Sequence, residues 1–292
     1  MSLTARMPSF SLVTPSLNQA AFLRAAIESV RAQAGVSIDY LVLDGGSTDG
    51  SLRILQEYGD GLRWRSGSDG GQVTAINAGL RETHGEICGY LNSDDVLVPG
   101  SLAAVEKIFG AHPEVDVVYG DASFIDTKGI RTRPYPTLPF DFDVLVQHCF
   151  ICQPAAFWRR SVHERWGWFD PIYDNTFDYE FWLRLAILGA RFLHIPRILA
   201  ESREHADTKT QRQRQAIFRE IRRMELHHLG YCGRNWWEQA LRYYRDESGS
   251  RFGQLLPGKK NERLYGLAWW PYVVWRRRLG GPLFHSPGHW RA

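Results

Sequence analysis

Between Phe10 and Asp95 the chain runs three times through the same pattern and begins it a fourth time: a short apolar run, a turn of Gly, Ser and acidic residues, then apolar residues at helical spacing. Phe10 to Thr14 passes through Pro15-Ser16-Leu17-Asn18 into a stretch with Leu23, Ile27 and Val30 on one face. Tyr40 to Leu43 ends in Asp44-Gly45-Gly46-Ser47-Thr48-Asp49-Gly50-Ser51 ahead of Leu52 and Leu55. Trp64 to Ser66 leads through Asp69-Gly70-Gly71-Gln72 to Val73, Ile76 and Leu80, with Asn77 facing away from that stripe. The apolar run Glu86 to Leu91 then stops at Asn92-Ser93-Asp94-Asp95. Strands alternating with helices predict βαβ units and a parallel sheet. Such sheets bind ligands at the carboxyl ends of their strands. Asp44, Asp69 and Asp94 each stand at one of those ends, and three carboxylates converging on one cleft are less expected by chance than any one of them.

What those turns lack narrows the chemistry. No G-x-G-x-x-G follows the first strand and no Walker loop is present, so glycine cradling of phosphates is excluded. Paired carboxylates instead suit a hard cation such as Mg²⁺ or Mn²⁺, held by one or two Asp residues and a substrate's phosphates. The same Asp pair also suits the start of the helix after Pro99, and Asp49 and Ser51 suit the start of the helix at Leu52. Cys149 and Cys152 form the single C-x-x-C among four cysteines, too few ligands for a structural zinc even with His148 and His163 near them. Reduced cysteines and an N-terminus without an apolar leader run point to a cytoplasmic protein.

At this point the residues resemble a known family. Thr14-Pro15-Ser16-Leu17-Asn18, Leu43 to Gly50, Asp69-Gly70-Gly71 with Ala75-Ile76-Asn77-Ala78-Gly79, and Leu91 to Asp95 are together similar to family 2 glycosyltransferases. The likeness covers roughly the first two thirds of the chain. It implies an α/β GT-A fold, a Rossmann-like doubly wound mixed sheet flanked by helices, that binds a nucleotide-diphosphate sugar with Mn²⁺ or Mg²⁺. Carried over, Thr14, Pro15, Ser16 and Asn18 line the base pocket, Asp44 holds the nucleobase, Asp69 lies by the nucleoside, Asn92 lies near the ribose or the metal, and Ser93 is a further nucleotide contact. Asp94 takes the metal, with Asp95 a second ligand or a positioning group. The family often has Asp where this chain has Asn92, so position 92 departs from the D-x-D pattern and brings no charge.

The second half carries the acceptor-side expectations. Pro134, Pro136 and Pro139 predict a surface loop over Arg131 to Asp143, and Val115 to Tyr119 and Arg191 to Ile195 read as strands. Cys152 to Arg160 and Trp166 to Pro171 resemble the family's acceptor half, which places Gln153 there. A helix opening at Asp178, with Phe181, Leu185 and Leu188 at core spacing, puts Asp178 in the first turn. Asp178 there serves either as a cap or, by the resemblance, as the general base; Glu180 is the second candidate and an acceptor contact. His205 reads as a metal ligand by resemblance or as an ordinary surface histidine, and Lys209 as a diphosphate contact.

Residues 1–206 hold 18 Lys and Arg against 25 Asp and Glu, a net −7, whereas residues 207–292 hold 17 against 7, a net +10. The expected division is therefore a catalytic domain over 1–206 and a basic, aromatic-rich helical extension over 207–292. Trp236-Trp237, Tyr243-Tyr244, Trp269-Trp270 and Trp275-Arg276-Arg277-Arg278 suit either an anionic membrane face or packing against the catalytic domain. Leu267 to Trp275 is too short to span a bilayer and contains Pro271. No nucleic-acid motif accompanies the charge. The function this predicts is an inverting, metal-dependent, hexosyltransferase-like enzyme moving a sugar, UDP-linked by family habit, to a hydroxyl of a glycan or lipid-linked acceptor in surface polysaccharide assembly. A sugar nucleotidyltransferase expects a basic Gly-rich loop that Pro15 to Asn18 does not provide. A non-catalytic sugar-binding relative is the remaining alternative, opposed by retention of Asp44, Asp94 and Asp178.

Overall fold

The computed structural model describes residues 9–206 and 208–246. Four parallel strands form its first half: β1 (Phe10–Ser16), β2 (Ile38–Asp44), β3 (Trp64–Ser66) and β4 (Ile87–Tyr90). They are joined by α1 (Ala20–Arg31), α2 (Ser51–Glu57) and α3 (Gln72–Glu82). After the two-residue β5 (Val96–Leu97) come α4 (Ser101–Ala111), β6 (Val117–Ile125), β7 (Arg131–Pro134), α5 (Phe142–Gln147), β8 (Ala156–Arg159), α6 (Ser161–Trp166), α7 (Phe177–Ile187) and β9 (Phe192–Arg203). One mixed sheet runs in the order β3-β2-β1-β4-β8-β6-β9-β5, with β7 paired to β6.

The core explains why the apolar runs sit where they do. Phe10 and Leu12 of β1 pack with Leu102, Val105 and Phe109 of α4 and with Phe157 of β8 on one face. Leu23, Ile27, Val42 and Leu55 pack together in a second cluster under α1 and α2. Each such side chain contributes about 1.5–3 kcal/mol on burial. Gly79 shows how closely α3 lies on the sheet, since a Cβ there would stand 2.7 Å from Val13 Cγ2. The close contact brings the α3 N-terminus, and Gln72 with it, toward the strand ends.

Two expectations change. The stretch read as a loop over Arg131 to Asp143 contains β7, antiparallel to β6, and the first turn of α5. All four β7 residues are exposed, so the strand carries no apolar signal; Asp141 caps α5 by accepting from Val144 N at 3.0 Å. The strand expected over Arg191 to Ile195 is longer, β9 continuing to Arg203, and its register against β6 shifts around Asp121.

Beyond β9 lie α8 (Lys209–Arg212), α9 (Arg214–His228) and α10 (Arg234–Asp246). The chain divides into two compact units between Ile217 and Phe218. In the second unit Ile221, Met224 and Leu241 are buried and the Tyr243 ring lies 5.6 Å from that of Phe218, so part of its aromatic content packs its own helices. The tryptophans at 269, 270 and 275 lie outside the described residues. Among the described residues no helix is long and apolar enough to cross a membrane.

Candidate active site

The ends of β1 and β2 are laced into one surface. Asn18 has φ +54°, the only positive value among the described non-glycine residues, which turns its side chain back so that Oδ1 accepts from Thr48 N at 2.8 Å. Asp49 binds two helix starts at once: Oδ2 accepts from Ala20 N at 2.8 Å and Oδ1 from Ser51 N at 3.0 Å. Burial alone would push the Asp49 carboxyl up, but these bonds outweigh it and hold the group below the usual carboxylate range.

Asp44, at the last position of β2 and buried, accepts from Ser66 Oγ at 2.6 Å, from Ser47 N at 3.0 Å, and from the Ser47 hydroxyl and Gly46 N. Asp69 lies beside it, because a Cβ on Gly45 would stand 3.1 Å from Asp69 Oδ2. Asp44, Arg65, Ser66, Gly67, Asp69 and Ala78 line a cavity of about 380 Å³. On β1, Thr14 Oγ1 pairs with Tyr40 Oη at 2.9 Å, whereas the buried Ser16 Oγ has no hydrogen-bond partner. An orphan hydroxyl at a strand end is a group with one bond still to make. Pro15 sits between them, in register with Leu43.

At the end of β4 the four candidate residues divide in two ways. Asp94 is half-buried, and its Oδ2 lies 3.1 Å from His205 Nε2, a residue 111 positions later in sequence. The imidazole is itself braced by the Phe22 ring, 5.0 Å away. Asp95, expected as a ligand or as a positioning group, is turned into the protein. It is buried, with Oδ1 accepting from Arg203 N at 2.8 Å, while Arg203 Nε donates to Asp94 O at 2.8 Å. Burial, with the Asp94 charge behind it, pushes the Asp95 carboxyl up to about 8. Arg203 thus clamps both acids to β9, a role its sequence context did not signal. Ser93 is buried beside them. Asn92 belongs to a chain of amides with Gln72 and Gln153.

Asp94 and His205 together offer a carboxylate oxygen and an imidazole nitrogen to one point, a donor pair that fits a divalent cation. Among the described residues no group of three His, Cys, Asp or Glu side chains is placed to hold a metal ion, so a cation there would draw further ligands from the substrate's phosphates.

Asp178 lies in the first turn of α7, half-buried, with Oδ1 accepting from Tyr179 N at 2.8 Å. Burial, and after it the charge of Asp178, pushes up the Tyr90 hydroxyl and the Cys149 thiol, so this carboxylate acts on both side chains. Glu180 is elsewhere, and its reading as an acceptor contact is corrected. It is 1% exposed, and its oxygens take Arg184 Nε at 2.8 Å and Nη2 at 3.1 Å. Arg184 in turn donates to Trp168 O at 2.8 Å and to Trp166 O, so the pair fastens α7 to the loop before it. Asn77 does the same from α3 and is buried, not turned outward: its Nδ2 donates to Phe169 O at 2.8 Å and its Oδ1 accepts from Phe169 N at 3.2 Å. Lys209 Nζ sits 3.0 Å from Asp174 Oδ1 in an exposed pair.

The strand order and the acids at the strand ends define a GT-A fold, and solved structures agree. A crystal structure of S. aureus TarS matches 88% of this chain and 47% of that one, with TM-score 0.61 and 17% identity. Residues 1–349 of TarS in complex with UDP-GlcNAc match 87% of this chain and 77% of that one, with TM-score 0.63 and 14% identity. A mannosyltransferase from Pyrobaculum calidifontis, in complex with GDP-Man and Mn²⁺, matches 82% of this chain and 65% of its own, with TM-score 0.52 and 19% identity. In sequence, residues 11–167 match the profile of glycosyl transferase family 2, more than half of the chain, and the protein belongs to that family. A PGL/p-HBAD biosynthesis glycosyltransferase of Mycobacterium bovis is 32% identical over 196 residues, 64% of this chain and 75% of that protein. An uncharacterized glycosyltransferase of Rickettsia felis is 28% identical over 216 residues, 68% of this chain; the alignment spans only 35% of that longer protein.

Proposed function

We propose that this chain is an inverting glycosyltransferase that moves a sugar from a nucleotide-diphosphate donor to a hydroxyl of a glycan or lipid-linked acceptor. The observation that carries the reading is the meeting of Asp94 and His205, 3.1 Å apart, just past the end of β4, in the sheet whose β2 end carries the cavity lined by Asp44 and Asp69. The nucleobase enters that cavity, where Ser66 and Asp44 supply hydroxyl and carboxylate contacts, and the free Ser16 hydroxyl completes its bonding on the nucleotide. Asp94 and His205 would hold Mn²⁺ or Mg²⁺, which when bound neutralises charge on the departing diphosphate.

Asp178 acts on the other reactant. An acceptor hydroxyl attacking the anomeric carbon must lose its proton as the new C–O bond forms and the bond to the diphosphate breaks. The Asp178 carboxylate takes that proton, and the nucleotide diphosphate leaves from the opposite face. Relatives named for O-antigen and PGL/p-HBAD biosynthesis favour a surface glycan or glycolipid product. The basic extension favours a peripheral place on an anionic membrane face, next to such an acceptor.

Release of UDP from UDP-GlcNAc and of GDP from GDP-mannose, measured with and without oligosaccharide or polyprenyl-linked acceptors and Mn²⁺, tests the class. Acceptor-stimulated release from one donor is expected. Binding of a nucleotide sugar with no release under any condition would reduce the protein to a binding relative. Sedimentation with anionic vesicles at low salt tests the membrane placement, which fails if the protein stays in the supernatant.

A further inference from the structure

The amide chain around Asn92 has a direction. Gln72 Nε2 donates to Asn92 Oδ1 at 2.8 Å, and Asn92 Nδ2 donates to Gln153 Oε1 at 3.3 Å. Gln153 Nε2 then donates to Tyr90 O at 2.8 Å. Asn92 Nδ2 also faces Asp95 Oδ2 at 3.4 Å. Every link points the same way, from α3 across the end of β4 to the backbone of β4 itself. Gln153 is buried, so reversing its amide would set Oε1 against Tyr90 O and leave two acceptors facing each other.

An amide offers two donor hydrogens and two acceptor lone pairs. Asn92 spends both hydrogens on Gln153 and Asp95, and one lone pair on Gln72. What it has left is a single acceptor position on a half-buried oxygen. That suits one hydroxyl donating to it and gives a cation no charge.

We propose that Gln72 and Gln153 are positioning residues of the donor site, which fix Asn92 as a neutral acceptor for one ribose hydroxyl. An Asp at position 92, though common in the family, would therefore impair this chain. The assignment to a donor hydroxyl rests on the glycosyltransferase reading; the incompatibility with Asp rests on the amide chain alone. A carboxylate at 92 could still accept from Gln72. It would have no hydrogen to give Gln153 Oε1, an acceptor whose amide is held in place by its bond to Tyr90 O, so a charged oxygen would face a buried oxygen. The site would thus work with one acid, Asp94, and His205.

Thermal melting of the nucleotide-free proteins tests the chain of amides without reference to any ligand. Asn92→Asp is expected to melt below Asn92→Ala, because deletion removes bonds whereas the acid adds an opposed charge; an Asn92→Asp protein as stable as wild type overturns the proposal. Calorimetric titration with UDP, with and without Mn²⁺, tests the donor role. Asn92→Asp is expected to bind UDP at least tenfold more weakly, and Gln72→Ala severalfold more weakly with an unchanged melting temperature and a raised donor KM at constant kcat. Tighter Mn²⁺-dependent binding by Asn92→Asp, or unchanged UDP affinity and KM in Gln72→Ala, defeats it. Failure of the wild type to bind any nucleotide would instead defeat the glycosyltransferase reading, and the melting comparison would still decide on the amides.

Discussion

The two halves of the catalytic sheet hold their functional groups by opposite means. From β1 to β4 the groups stand on turns, and the turns are held by polar bonds to each other: Asn18 to Thr48, Asp49 to Ala20 and Ser51, Asp44 to Ser47 and Ser66. From β8 to α7 the one candidate base stands on a helix seated in aromatic rings. Trp158 lies within 5.7 Å of Phe169, Phe181 and Trp182, all nearly fully buried. Polar turns adapt to a ligand at small cost, whereas a packed helix presents a group at a fixed place. The first half has the architecture of a binding surface and the second that of a support, which matches the donor and acceptor roles proposed for them.

If that contrast holds, the largest effect belongs to the base. Asp178→Asn should lower transfer by on the order of 10²–10⁴-fold while UDP affinity stays within a few-fold, read by steady-state kinetics beside calorimetry. Transfer preserved within a few-fold would remove Asp178 from the chemistry.

Asp94→Asn should remove the Mn²⁺-dependent part of UDP binding and leave melting little changed, since the amide oxygen can still face His205 Nε2 in place of the carboxylate. The loss should exceed the roughly 10–100-fold that follows when only an outer partner of a metal ligand is lost. Equal affinity with and without the substitution would place the cation elsewhere.

On the support side the expected losses are of stability. Arg184→Ala removes both guanidinium bonds from the buried Glu180 carboxylate and should cost about 3–5 kcal/mol in denaturant unfolding. A cost under about 1 kcal/mol would mean that Glu180 is held otherwise. His163 gives a pH signature in the same cluster: Nε2 accepts from Trp158 Nε1 at 2.8 Å, and burial lowers its pKa to about 4. Because the folded value lies below the unfolded one of about 6.5, the neutral ring's stabilisation is complete above pH 6.5. It is lost as pH falls toward 4, by up to about 1.4 kcal/mol per pH unit. His163→Gln should flatten the melting profile over that window.

The smallest effect returns to the turns. Asn18→Ala puts a less tolerant residue at φ +54° and should cost about 1–2 kcal/mol. Asn18→Gly should recover the backbone part of that loss and not the bond to Thr48, so melting of the two variants separates strain from lacing.

The same contrast decides how much could be read in advance. Phe10 to Asp95 was legible because buried parallel strands are apolar throughout and end at Gly and Asp turns, so both fold and site residues leave a local mark. The later half leaves a weaker local mark. β7 is exposed along its length, β8 lies antiparallel in mid-sheet after a 3-10 turn at Gln153–Ala155, and neither has a period that announces it. Glu180 looked available because one helix turn fixes which way a residue leaves the helix but not what covers it. Gln72, Asn77 and Arg203 went unassigned for the same reason: their partners are 20, 92 and 109 positions away.

Asp49 has a consequence for how this surface can vary. One carboxylate joins the start of α1 to the start of α2, and Asn18 reaches back across the same gap. An insertion or deletion in either turn would pull these bonds apart, so a length change in one calls for a compensating change in the other. The pair of turns thus tolerates exchange of the side chains that point outward from it far better than a change in the length of either.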